Sequence, residues 1–98
     1  MEKIKVTLDR DFMEIIPDYL SHRKEDCRKI RTFLTENKRD EIKTIGHKMA
    51  GSGGGYGFDE ISKIGKEIEN NYNSEAETIS SLVQRLEDYL ENLEISYE

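Results

Sequence analysis

Ile45-Gly46-His47-Lys48-Met49-Ala50-Gly51-Ser52-Gly53-Gly54-Gly55-Tyr56-Gly57-Phe58 is the stretch on which the fold turns. Five glycines fall between positions 51 and 57. At a cost of up to about 1 kcal/mol each against alanine, they predict a helix that ends near Ala50 and a loop beyond it. A helical wheel gives a different answer. Continued through the glycines at about 100° per residue from Ile42 at zero, the segment places Ile45, Met49 and Tyr56 at roughly 300°, 340° and 320°, as one buried stripe. Gly46 and Gly53 fall beside that stripe at roughly 40° and 20°, where a missing side chain lets another helix come close. His47 falls at roughly 140°, on the far side, with Lys43, Gly51 and Gly54 at roughly 100°, 180° and 120° around it. The glycines then serve two faces, tight packing on one and steric access on the other. A plain linker accounts for the glycines but not for this partition.

Outward from this segment, helical spacing recurs on both sides. Upstream, Ile16, Tyr19, Leu20, Cys27, Ile30, Phe33 and Leu34 repeat at three and four, predicting a first helix from about Pro17 to Asn37 with Pro17 in its first turn. Asn37-Lys38-Arg39-Asp40 is the polar connection, and Asp40 is the expected N-cap of a second helix carrying Ile42, Ile45 and Met49 inward. Downstream, Phe58, Ile61, Ile64 and Ile68 mark a third helix, starting at Gly57 or Asp59 and ending at Asn70-Asn71. Asn73-Ser74 opens the last, whose stripe of Ile79, Leu82, Val83, Leu86, Tyr89, Leu90 and Leu93 reaches almost to the C-terminus. Lys3 to Leu8 alternate polar and apolar for one strand's length, but a lone strand has nothing to pair with, so residues 1–15 are expected to form an extended lead-in. Four helices with short connections predict an all-α fold, an antiparallel up-down four-helix bundle over residues 16–98 in a single domain of residues 1–98. A 98-residue chain hides roughly 65% of its extended surface on folding, enough for one modest core.

Composition excludes several function classes. The chain is 35% hydrophobic and 37% charged, and no uninterrupted apolar run is longer than Ile15-Ile16, which leaves no transmembrane helix or signal-peptide core and points to the cytoplasm. A formal charge of -6 disfavours nonspecific binding to nucleic acid or to an anionic membrane surface. One cysteine, Cys27, builds neither a disulfide framework nor a thiolate zinc site, and its spacing makes it a small core residue. Polar faces on all four helices favour a monomer. Gly46 and Gly51 match the spacing of a phosphate-binding loop, but Ser52 stands where the lysine is required and no strand precedes it. The dinucleotide pattern fails as well, at Tyr56, Phe58 and Glu60. His22 and His47 have no carboxylate or thiol at a ligand spacing, so no metal site is expected and His22 is a surface residue. Glu67, Glu69, Glu87, Asp88 and Glu91 are expected on solvated helix faces.

His47, flanked by Lys43 and Lys48 on a glycine-bared surface, suits a nucleophile that enters another protein's active site to take a phosphoryl group. Neutral imidazole is nucleophilic, its reference pKa of about 6.5 leaves much of it neutral in the cell, and lysines favour an anionic group. From the wheel alone, a surface histidine beside a flexible loop fits equally.

The segment from Ile45 to Phe58 resembles the signature of histidine-containing phosphotransfer (HPt) domains: a histidine, a glycine four residues on, a run of small residues, and a glycine-aromatic close, here His47, Gly51 and Gly57-Phe58. Ile16-Pro17-Asp18-Tyr19-Leu20 followed by Arg23 and Lys24 is similar to the opening of a subgroup of these domains. The resemblance covers nearly the whole chain, since the family fold is a four-helix bundle of this length. It implies that the second helix runs to about Gly54, with a turn near Gly55 and a third helix from about Tyr56 or Gly57. It also implies that His47 accepts phosphoryl from a receiver-domain aspartate and passes it to another receiver. The protein would then be a carrier rather than an enzyme, with no cofactor of its own, magnesium on the receiver, and response-regulator receivers and a hybrid histidine kinase as partners. The lysine common three residues after the histidine is Ala50 here, so any phosphate neutralisation falls to Lys43, Lys48 or the partner, with Gly51 and Gly54 admitting the receiver's loops, while Gly46, Gly53, Tyr56 and Phe58 are expected to pack the helix. One alternative is the phospho-accepting N-terminal domain of a chemotaxis-type histidine kinase, fed from an ATP-binding domain. Others are an acidic helical adaptor without chemistry and, weakest, a nucleotide enzyme.

Overall fold

A computed structural model describes residues 2–98. The chain forms β1 (Ile4–Leu8), a 3-10 turn (Arg10–Phe12), α1 (Ile16–Thr35), α2 (Arg39–Ser52), a second 3-10 turn (Gly54–Tyr56), α3 (Asp59–Asn70), α4 (Ala76–Glu91) and β2 (Leu93–Tyr97). Pro17 lies in the first turn of α1, where its missing N–H leaves no bond unmade. The helix stops because Asn37 takes a left-handed backbone (φ 57°), which asparagine tolerates. Lys38 N–H then donates to Phe33 O at 2.8 Å and Asn37 N–H to Leu34 O at 3.2 Å, closing the two freed carbonyls.

The four helices enclose one core. Ile16, Cys27 and Ile30 of α1, Ile42 and Met49 of α2, Ile61, Ile64 and Ile68 of α3, and Ile79, Val83 and Leu86 of α4 are buried there, with Phe58 at the entry to α3. Helix α1 packs on α2 and α4, and α3 packs on the same two helices, so the apolar stripes read from the sequence converge. Among the described residues no helix is long and apolar enough to cross a membrane.

The fold departs from a purely helical one at its ends. The lead-in of residues 1–15 does not run unpaired: β1 pairs in parallel with β2, with Ile4 opposite Leu93, Val6 opposite Ile95 and Leu8 opposite Tyr97. Ile4, Val6 and Leu8 face inward and pack on the core together with Leu93, Ile95 and Tyr97, while Lys5, Thr7, Glu94 and Ser96 face solvent. The whole bundle serves as the long crossover that a parallel pair needs. The expected extension of the last helix toward the C-terminus is corrected accordingly. Helix α4 ends at Glu91, and Asn92 folds its Nδ2 back onto Asp88 O at 2.7 Å, turning Leu93 into the first residue of a strand.

Boundaries around the glycine run also move. Helix α2 ends at Ser52, two residues past the propensity limit at Ala50 and two short of Gly54; the turn expected near Gly55 is the 3-10 turn Gly54–Tyr56. Helix α3 begins at Asp59, one of the two starts the spacing offers, and not at Tyr56 or Gly57 as the resemblance implies. The cause lies at Gly57, whose φ of 93° breaks the helical course, and an added Cβ would lie 2.6 Å from Leu8 Cδ2. The side chain of Leu8, the last residue of β1, thus lies against Gly57. Asp40 lies inside α2 instead of capping it; the cap position belongs to Lys38.

Candidate functional site

Helices α2 and α3 cross at a distance only glycine allows. A Cβ on Gly46 would lie 2.7 Å from Glu69 N and 2.9 Å from Gly65 O, and one on Gly53 would lie 2.6 Å from Ser62 N. Both are glycines expected from the sequence to pack the helix. Gly65 completes the seam, since its Cβ would lie 2.6 Å from Ala50 N. That residue was missed in the sequence, although a helix-interior glycine beside Ile61, Ile64 and Ile68 carried the signal.

The close crossing brings a carboxylate to His47. Glu69 Oε2 lies 2.8 Å from His47 Nδ1, and Glu69 Oε1 lies 3.4 Å from Lys66 Nζ. Glu69 is therefore no solvated-face residue: its side chain is 16% exposed, against 75% for His47. The hydrogen bond from His47, with Lys66 adding to it, holds the Glu69 carboxyl below its ordinary range. An ionised carboxylate only accepts hydrogen bonds, so Nδ1 carries the proton and donates it. In the neutral form of the ring Nε2 then holds the free lone pair, and the ring stands in solvent.

Around this ring lies an open cleft lined by Asp40, Lys43, Thr44, His47 and Lys48 from α2 and Glu69 from α3. Lys43 and Lys48 are both exposed, and the Lys43 ammonium rests 4.9 Å from the centre of the Tyr72 ring. Beyond His47 the surface is bare. A Cβ on Gly51 would meet nothing within 4 Å, whereas one on Gly54 would touch Asp59 Oδ1 at 3.5 Å and Ser62 Oγ at 3.6 Å without crowding. The Gly54 N–H donates to Ser62 Oγ at 2.8 Å, which ties this stretch to α3.

Tyr56 and Phe58, expected to pack the helix, have different surroundings. Phe58 is fully buried and stacks on Tyr19 with ring centres 6.0 Å apart. Tyr56 is half-buried between Tyr19, at 4.6 Å, and Phe12, at 5.7 Å. The Tyr19 hydroxyl shares a 2.8 Å hydrogen bond with Ser52 Oγ, joining the start of α1 to the end of α2. His22 is exposed and lies outside the cleft lining. Cys27 is 2% exposed, and burial pushes its thiol up to about 12. Among the described residues no group of three or more His, Cys, Asp and Glu side chains is placed to hold a metal ion.

Fold and site together define a helical module that presents a solvated imidazole, oriented by a carboxylate and bordered by lysines and bare glycine surface. A family model described as the Hpt domain matches residues 14–96, nearly the whole chain, and the protein belongs to that family. The chemistry of this family is histidine phosphotransfer in phosphorelays. Comparison with curated proteins and with solved structures gives no match.

Proposed function

We propose that His47 is the phosphoryl acceptor and that the protein is a phosphocarrier, taking the group from a receiver-domain aspartyl phosphate and passing it to a second receiver. The observation that carries this reading is the 2.8 Å contact between His47 Nδ1 and Glu69, which leaves Nε2 free on a ring that is 75% exposed. Phosphoryl transfer needs an in-line nucleophile and neutralised charge rather than covalent machinery. Nε2 supplies the nucleophile. Lys43 and Lys48 supply positive charge at the rim of the cleft, and Gly51 and Gly54 leave room for the partner's loops. Catalysis, with its magnesium, belongs to the receiver, so the chain acts as a carrier and not as an enzyme. A hybrid histidine kinase upstream, a cytoplasmic setting and a monomeric state complete the reading. The cross-helix contacts from Tyr19 to Ser52 and from His47 to Glu69 support an up-down order of the helices.

The test is transfer from a panel of receivers charged with acetyl phosphate to the wild type and to His47→Gln. Acid-labile, alkali-stable label on the wild type alone is the expected result. No label from any receiver, with the protein shown to be folded, overturns the relay. Label obtained only from an ATP-dependent kinase would make the protein a kinase-fed acceptor. Partner binding that His47→Gln leaves intact, without label, would make it an adaptor.

A further inference from the structure

We infer that Glu69 acts on the phosphorylated state as well as on the free histidine: it keeps the Nδ1 proton on the ring after transfer and so holds the phosphoryl group ready to leave. This rests on His47 being the acceptor. In the transfer, the Nε2 lone pair forms the N–P bond while the P–O bond of the acyl phosphate breaks, and its electron pair leaves with the receiver's carboxylate. The His47 ring enters with one proton, on Nδ1, and therefore emerges as an N-phosphorylated imidazolium. If that proton escapes to water, onward transfer must expel an imidazolate, a poor leaving group. If it stays, neutral imidazole leaves. The Glu69 carboxylate, 2.8 Å from Nδ1 and only 16% exposed, favours the charged ring through opposite charge and a hydrogen bond.

All residues lining the cleft belong to α2 and α3, so the charged groups that bear on the ring are few. Asp40 and Glu69 favour the imidazolium, while Lys43 and Lys48 disfavour it and attract the phosphoryl oxygens instead. Lys66 sits on the other oxygen of Glu69, at 3.4 Å, and keeps that carboxylate ionised. Glu69 is thus a positioning residue that sets the balance between a long-lived and a readily transferred phosphohistidine. Ease of transfer brings faster hydrolysis with it, because both break the same N–P bond from the same protonated ring.

The experiment charges wild type and Glu69→Gln with phosphoramidate, which needs no partner protein. Imidazole nitrogen and phosphorus NMR then follow the phosphorylated ring against pH. Hydrolysis and onward transfer to an uncharged receiver are timed on the same samples. Glutamine keeps an acceptor oxygen but loses the charge. Its ring should lose the Nδ1 proton about one pH unit lower, and above both midpoints hydrolysis and onward transfer should each be slower by about tenfold. In denaturant the two phosphorylated proteins should share one midpoint, which separates the local contact from any general effect of the substitution. Equal midpoints in the folded proteins overturn the role of Glu69 alone. Failure of His47 to take phosphoryl from either phosphoramidate or any receiver overturns the carrier reading itself.

Discussion

Replacing Gly46 by alanine tests the seam on which the site is built. The new Cβ would lie 2.7 Å from Glu69 N, 2.9 Å from Gly65 O and 3.0 Å from Ile68 Cγ2. Two of these neighbours are backbone atoms, so no rotamer change relieves them and α3 must move away. Ordinary contact begins at 3.4 Å, so the displacement at the closest atom is 3.4 − 2.7, or about 0.7 Å. Overpacking of this kind costs about 1–3 kcal/mol, against which alanine returns up to about 1 kcal/mol of helix propensity. Because the closest neighbours are backbone, the upper part of that range applies, about 2–3 kcal/mol, so the net destabilisation is about 1–2 kcal/mol, and at about 4–8 °C per kcal/mol for a domain of this size the midpoint should fall by roughly 5–15 °C. Gly51→Ala is the matched control, five residues along the same helix with nothing within 4 Å of its Cβ. It should leave the midpoint unchanged or raise it by a few degrees, about 4–8 °C at most. Thermal unfolding of the three proteins by circular dichroism, with urea titration as a second measure, decides the matter. Equal midpoints for Gly46→Ala and Gly51→Ala would show that the two glycine faces are not distinct.

Gly57→Ala combines a left-handed backbone (φ 93°) with a Cβ 2.6 Å from Leu8 Cδ2, so it should destabilise by about 2 kcal/mol; hydrogen exchange should speed up first in β1. His47→Gln alters a side chain that is 75% exposed and should change stability by less than about 0.5 kcal/mol in urea titration, separating loss of phosphoryl acceptance from loss of fold. Cys27 is 2% exposed with its thiol pushed up to about 12, so a thiol reagent at mildly alkaline pH should label the native protein only as fast as it opens and the denatured protein at once. Rapid full labelling under native conditions would show that α1 does not bury this residue.

Periodicity made the helices legible because each buries a stripe of its own. Ile61, Ile64 and Ile68, for example, need no knowledge of the other helices to be read as one face. The terminal sheet was hidden for the opposite reason. The alternation of Ile4, Val6 and Leu8 signalled a strand, but its partner begins at Leu93, a residue that also continues the spacing of Leu86, Tyr89 and Leu90. Two periods overlap there, and what separates them is the turn at Asn92 together with the approach of β1 from the far end of the chain. A parallel pair joined through 84 intervening residues, from Leu8 to Leu93, leaves no local trace. Ending α2 at Gly54 failed in a related way. Nothing within the segment shows that Leu8 will press on Gly57, and that contact helps fix where the chain must turn.

The site divides along the same line. The wheel of one helix placed His47 opposite the packed face, and its exposure agrees with that placement. A wheel says nothing about which residue of a second helix arrives beside the histidine, because that depends on where the two axes cross. Here the crossing is set by Gly46, next to His47 in sequence, on which a Cβ would lie 2.7 Å from the backbone nitrogen of Glu69. The glycine that lets α3 approach therefore delivers the carboxylate to the imidazole. Packing and chemistry are not two independent demands on this segment: any residue larger than glycine at position 46 that pushes α3 aside also withdraws Glu69 from Nδ1. The ring would remain exposed but would lose the contact that fixes its tautomer. A variant at Gly46 that stays folded should thus resemble Glu69→Gln in the pH titration of its phosphorylated ring, although it leaves both His47 and Glu69 chemically intact.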